Sequence, residues 1–326
     1  MTLTRRATLA AAAGAAAFPF ASGAQAAWPS RQIRLVVPFA PGGTTDLVAR
    51  ILANHLQEQL GQTVMVDNRP GAGAALGSQL VADAAPDGYT LVVSNAASHA
   101  VAPALSRHVR YDPVNGFSHI ALIATTSLVA VVNPQWGVTS IADLIRAARA
   151  EPTGVDFAAA GVGTSGHLVG LRFAQRTGIT LNHIPYRGSG PALNDLIAGN
   201  PKLMFDSLAS SIGHIRSGTL RAIAVMDARR STFLPDVASI AEQGFPDITS
   251  NSWFGISGPR GLPEPIVERL NREIRAALQN PDLRQRYRDL TAEIPDTTAA
   301  QYLAFVERER QVVADVVRSA SISVPD

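Results

Sequence analysis

The stretch Ile33-Arg34-Leu35-Val36-Val37-Pro38-Phe39-Ala40-Pro41-Gly42-Gly43-Thr44-Thr45-Asp46-Leu47-Val48-Ala49-Arg50-Ile51-Leu52 decides how the chain is read. Its first five residues are an aliphatic run of strand length. Two prolines and two glycines then turn the chain. From Thr44 the apolar residues recur at helical spacing, with Val48, Ile51, Leu52 and Leu56 on one face and Gly61 as the stop. A strand, a glycine loop and a helix in this order form half of a βαβ unit.

The same alternation extends outward. Strand Val64–Val66, helix Ala74–Ala84, the Asp87-Gly88 turn and strand Tyr89–Val93 complete a first block. A second block opens with strand Leu128–Val132 and helix Ile141–Ala150. It repeats the motif as strand Val155–Ala159, a glycine loop and helix Ser165–Thr177. Strands Leu181–Ile184, Leu203–Phe205 and Ala222–Val225 follow, with helix Pro191–Ala198 and a short helix ending at Ser217 between them. A strand-like Trp253–Ile256 and helices Glu264–Gln279 and Ala299–Arg318 close the chain. Two similar blocks predict an α/β protein of two lobes with a cleft between them, its ligand at the carboxyl ends of the strands. The expected division is a cleaved segment at 1–26, a first lobe of 27–125 plus 228–326, and a second lobe of 126–227.

Arg5 and Arg6 precede an uncharged, alanine-rich run, and Ala24-Gln25-Ala26 offers small residues at a cleavage site. This is the pattern of a secretory signal, so a periplasmic protein exported by the Sec or the Tat route is expected. Removing 1–26 takes away two Arg and no acid. The 28 basic and 26 acidic residues become 26 and 26, and the electrostatic case for nucleic acid or an anionic membrane disappears. There is no cysteine. Thiolate catalysis, Cys-ligated metals and a lipid-anchoring cysteine are excluded, and stability must come from core burial.

Two strand-to-helix loops stand out, Pro38–Asp46 and Ala160–His167. Each places glycines where backbone must come close to something, then a Thr or Ser at a helix N-terminus. Free amides and the positive end of the helix dipole make such a place an anion site, although the same residues also serve as plain turns and caps. Gly161, Gly163 and Gly166 match a dinucleotide fingerprint, but no acid follows about twenty residues on, and with Lys202 the sole lysine a phosphate-binding P-loop fails. Ser165 and His167 point to nearly opposite faces of one helix, so they make no nucleophile–base pair. The histidines show no metal-binding spacing. Ser98, after the third strand, adds a hydroxyl at a strand's carboxyl end. Asp46 and Asp206 each suit either a helix terminus or a ligand contact.

These residues resemble the Bug family, the extracytoplasmic substrate-binding receptors of tripartite tricarboxylate transporters. The likeness is carried by Val37–Asp46, Val66–Gly73, Asp87–Tyr89, Tyr111–Pro113, Gly161–Leu168, Pro185–Ala192 and Met204–Asp206. It implies a two-lobed fold of the periplasmic-binding-protein type II kind with hinge crossovers. It also implies a small carboxylate gripped by Phe39, Gly42, Gly43, Thr44, Thr45 and Asp46 from one lobe, and by Gly161, Gly163, Thr164, Ser165 and Asp206 from the other. No enzymatic activity, cofactor or metal is expected. The expected partners are a membrane permease or, alternatively, a sensor protein, with the receptor itself a monomer. Leu171 stands where the family commonly has Glu, Asn200-Pro201 replaces a Gln-Val-like pair, and Gly116 and His119 replace an Asp and a Pro.

Overall fold

The computed structural model describes residues 28–105 and 109–319. The expected signal segment, 1–26, lies outside the described residues. Among them, no helix is long and apolar enough to cross a membrane.

The opening motif folds as strand β1 (Ile33–Val37) and helix α1 (Thr44–Leu60), closed by Gly61 in the left-handed conformation. Strand β2 (Val64–Asn68), helix α2 (Ala75–Ala82) and strand β3 (Thr90–Asn95) follow. β1 lies parallel between β2 and β3, as right-handed βαβ crossovers require. One π-helical turn after β3 leads into the short helix α3 (Ala102–Leu105). Strand β4 (Phe117–Val132) then runs for 16 residues.

The second block holds helix α4 (Ile141–Ala150), strand β5 (Val155–Ala159), helix α5 (Ser165–Thr177) and strand β6 (Leu181–Pro185). Helix α6 (Ser189–Ile197), strand β7 (Leu203–Ser207), helix α7 (Leu208–Arg216) and strand β8 (Arg221–Val225) complete it. Strand β9 (Asn251–Pro259) and helices α8 (Glu264–Gln279), α9 (Pro281–Asp289) and α10 (Ala299–Ser319) end the described chain.

β4 organises the molecule because its two halves pair differently. Phe117–Ser127 runs antiparallel to β9, which in turn pairs with β3. Leu128–Val132 turns to β7 on one side and β8 on the other, and β7 continues to β5 and β6. The change of partner at Ser127/Leu128 therefore separates two sheets. The chain crosses between them along β4 and returns through 226–251, where Met226 N–H donates to Leu128 O and Ser250 N–H to Met226 O.

The central strands of each sheet are largely buried on both faces, which is why they read as aliphatic-rich segments with little alternation. In the first lobe Leu35 and Val37 pack against Val48, Leu52 and Leu56 of α1 and Leu270 and Ile274 of α8, while Val36 and Val92 meet Val81 behind. In the second, Phe157 and Phe205 pack with Phe173 on one face, and Ala158 and Met204 with Leu193 and Leu196 on the other.

The apolar residues of 228–250 pack with the second lobe, whereas the sequence reading placed the segment in the first; Leu234 lies against the second lobe's core. Ile240, Phe245 and Ile248 belong to the core of the second. Gln243 also accepts from Ile141 N–H and donates to Ile223 O. Local sequence names neither attachment, because the segment carries no regular element and its anchors are single side chains. The first half of β4 and all of α9 were likewise absent from the sequence reading.

Candidate functional site

A cleft lies between the lobes, with about 440 Å³ of free space including the part open to solvent. The first lobe contributes Phe39, Gly43, Thr44 and Thr45 from the β1–α1 loop and Asn95–Ala97 from the end of β3. The second contributes Ala160, Thr164 and Ser165 from the β5–α5 loop, Ser189 from α6 and Ser207 from β7. Ser252, Trp253 and Phe254 of β9 form the back wall. Among the described residues, no Asp, Glu, Lys, Arg or His lines it.

Positive potential therefore comes from backbone. α1 and α5 begin at Gly43 and Thr164, both extended, and no side chain caps either helix. The Gly43 carbonyl takes the amides of Asp46 and Leu47, and the Thr164 carbonyl takes that of Leu168. The amides of Thr44, Thr45 and Ser165 come before any intrahelical acceptor. They converge from opposite lobes with the positive ends of two helix dipoles, an arrangement suited to an anion.

The lobes touch around this cleft. Ala40 N–H donates to Arg187 O at 2.7 Å, and Thr44 Oγ1 donates to Ser210 Oγ at 3.0 Å. Backbone meets backbone where glycines face each other. A Cβ on Gly43 would lie 3.2 Å from Ser189 N, and one on Gly190 would overlap the Pro41 carbonyl oxygen. The Ser207 and Ser252 hydroxyls join at 2.9 Å, tying the second lobe to β9.

Of the residues singled out in the sequence, Phe39, Gly43, Thr44, Thr45, Thr164 and Ser165 line the cleft. The others stand behind it. Gly42 (φ +85°) and Gly163 (φ +78°) shape the two loops in conformations that side-chain-bearing residues rarely adopt. Gly42 N–H donates to Asp46 Oδ2 at 3.0 Å, and Asn68 and Arg50 hold the same carboxylate. Burial pushes the Asp46 carboxyl up, but these donors outweigh it and hold its pKa below the ordinary value. Asp46 thus braces its loop.

Gly161 accepts the Thr164 hydroxyl at 2.8 Å, and Gly163 N–H donates to His167 Nδ1 at 3.1 Å. Burial lowers His167 to about 4, so its ring is a neutral acceptor. Ser98 is fully buried and bonds to Asn95 and His99, which orients Asn95 at the cleft wall.

Asp206 is also buried, and it gathers three hydroxyls: Ser189 at 2.6 Å, Ser210 at 2.6 Å and Ser211 at 2.7 Å. Burial raises its pKa, and the serines with the Ser207 amide pull against that rise. Ser189, Ser207 and the β9 wall were not among the site residues read from the sequence. The run of small residues after β6 and the position of Ser207 at a strand end were the available signals.

The chain matches the family model described as "Tripartite tricarboxylate transporter family receptor" over residues 48–321. It is 38% identical over 292 residues to protein BugT of Bordetella pertussis, covering 89% of this chain and 90% of that one. Among solved structures it is similar to the periplasmic binding protein BugD, with 32% identity, a TM-score of 0.87, and 91% of this chain and 99% of that one covered. R. palustris Rpa4515, solved with adipate, shares 35% identity over 91% of this chain and 99% of its own, with a TM-score of 0.87. MatC from Rhodopseudomonas palustris, solved with bound malate, shares 32% over 89% and 99%, with a TM-score of 0.85.

Proposed function

The chain belongs to the tripartite tricarboxylate transporter receptor family, and from that premise we propose that it captures a small carboxylate between its lobes and hands it to a membrane permease. The observation that carries the reading is the convergence of two uncapped helix N-termini on a cleft without a charged side chain. Fixed amide dipoles bind an anion without a cation whose pull would slow release. The two relatives solved with adipate and with malate fit the same chemistry. Phe39, Gly43, Thr44, Thr45, Thr164 and Ser165 are the direct contacts in this reading. Gly42, Asp46, Ser98, Gly161, Gly163 and Asp206 hold them in place.

The rigid bodies are 28–127 with 251–319 and 128–250, hinged where β4 changes partner. Ligand shifts the equilibrium toward the closed pair. The receptor acts in the periplasm as a monomer.

A thermal-shift screen of mono-, di- and tricarboxylates tests this. A ligand at about a hundred times its dissociation constant should stabilise the protein by roughly 2.7 kcal/mol. If no organic acid raises the unfolding temperature, the proposal fails.

A further inference from the structure

The hydrogen-bond polarity of the cleft narrows the class of carboxylate, and the argument rests on the carboxylate reading above. A hydroxyl has one hydrogen to give. Thr44 gives its hydrogen to Ser210, Thr164 to the Gly161 carbonyl, and Ser189 to Asp206 Oδ1. Each of these side chains lines the cleft, so each offers it an oxygen lone pair and no donor. Ser189 is the most firmly set of the three, because its acceptor is a buried carboxylate at 2.6 Å. The cleft therefore presents donors, from the helix-terminal amides together with the Asn95 side chain and the Thr45, Ser165 and Ser252 hydroxyls, and an acceptor face centred on the Ser189 oxygen.

An unsubstituted carboxylate satisfies only the donor side and leaves buried acceptors without partners. An ammonium group would meet the acceptors, but no acidic side chain lines the cleft to balance its charge. Asp206, the acid that Ser189 contacts, is already engaged by Ser189, Ser210 and Ser211. A neutral hydroxyl meets both conditions. We propose that the ligand is a hydroxycarboxylate, its carboxylate on the amides of α1 and α5 and its hydroxyl donating to Ser189 Oγ. Asp206 is then a positioning residue that sets specificity through Ser189 without touching the ligand.

The test is isothermal titration with matched triplets: succinate, malate and aspartate; glutarate, 2-hydroxyglutarate and 2-aminoglutarate; adipate, 2-hydroxyadipate and 2-aminoadipate. At the chain length that binds best, the hydroxy acid should bind about tenfold more tightly than its unsubstituted parent, the worth of one well-placed hydrogen bond. The amino acid should bind more weakly than either.

Asp206→Asn is the decisive variant. Its oxygen is drawn to the side where Ser210 and Ser211 both donate, which turns its NH₂ toward Ser189. Ser189 then accepts from the amide and frees its own hydrogen for the cleft. The preference for the hydroxy acid should fall to threefold or less. Ser189→Ala supplies a second reading if Asp206→Asn does not fold: it removes the acceptor, so the roughly tenfold preference for the hydroxy acid over its unsubstituted parent should disappear.

Parent and hydroxy acid binding equally, an amino acid binding best, or a preference unchanged in both variants would overturn the inference. Binding by no acid in the panel or in the wider screen would instead sink the carboxylate reading.

Discussion

Replacing Gly190 by Ala should part the lobes while leaving each one sound. Gly190 lies in the first turn of α6 and has no positive φ, so Ala fits its backbone. The three atoms nearest to a Cβ there all belong to the facing β1–α1 loop of the other lobe. That Cβ would come within 3.0 Å of the Pro41 carbonyl oxygen, with Gly42 Cα at 3.5 Å. A relaxed carbon–oxygen contact needs about 3.3 Å or more, so the facing loop must retreat, and it carries Gly43 and Thr44 with it. Overpacking of this kind costs about 1–3 kcal/mol. Here the cost falls on the closed state alone, while helix propensity slightly favours Ala in both states. Affinity for the best carboxylate should therefore drop about 5- to 150-fold, with the unfolding temperature of the unliganded protein unchanged or slightly higher.

Gly213→Ala is the matched control. It lies in α7, and nothing stands within 4 Å of its Cβ. Titration calorimetry gives the affinities, thermal unfolding without ligand the stabilities, and small-angle scattering the ligand-induced contraction. Parental affinity in Gly190→Ala would refute the claim that binding requires this approach of the lobes. A loss of more than about 1 kcal/mol in the unliganded variant, on the scale of a tight core contact, would show that the contact exists without ligand, and closure would then not be the ligand's doing.

His167→Asn should keep most of the binding affinity, since Asn Oδ1 can take the Gly163 N–H that Nδ1 now accepts, whereas His167→Phe should weaken binding about tenfold through loss of that bond; equal affinities in the two variants would rule out the role. Asp46→Ala strands Arg50, Asn68 and the Gly42 amide and should cost about 2–4 kcal/mol in urea unfolding, with Asp46→Asn costing less. Stability should also fall with acidity in a defined window. Burial lowers His119 and His167 to about 4, against an unfolded value near 6.5. Between those values the unfolded chain takes up protons that the folded one refuses, so stability declines as pH falls from about 6.5 to about 4 and is unaffected by these groups above it. Each such group contributes up to about 1.4 kcal/mol per pH unit, and a urea midpoint that stays flat from pH 6.5 to 5 would contradict their neutral burial.

The first strand, loop and helix were legible because three local signals agreed: an aliphatic run, a Pro-Gly turn and a 3.6-residue period. The same held for Val155–Thr177. β4 was half hidden, because Phe117–Ser127 is buried on both faces and carries no alternation to mark it as a strand. Its function as the hinge depends on a change of partner at Ser127/Leu128, and no property of a single strand encodes which neighbours it will have. The segment 228–250 was assigned to the wrong lobe for a related reason, its anchors Ile240, Phe245 and Ile248 being scattered apolar residues in an irregular stretch.

At the site, the loops were visible as motifs, yet motif membership did not separate contact from support. Thr44 and Asp46 are two residues apart, and only Thr44 faces the cleft, because Asp46 turns back to cap the bend at Gly42. Asp206 shows the limit most clearly. Its place at a strand's carboxyl end suggests a ligand contact, and burial among three serines removes it from the cleft. What it contributes instead is direction: by taking the hydrogen of Ser189 it makes that side chain an acceptor. A serine in a sequence has no fixed polarity, since its hydroxyl can donate or accept. Only the three-dimensional neighbourhood assigns one, and the selectivity of a cleft without charged side chains then follows from how its few hydroxyl hydrogens are already engaged.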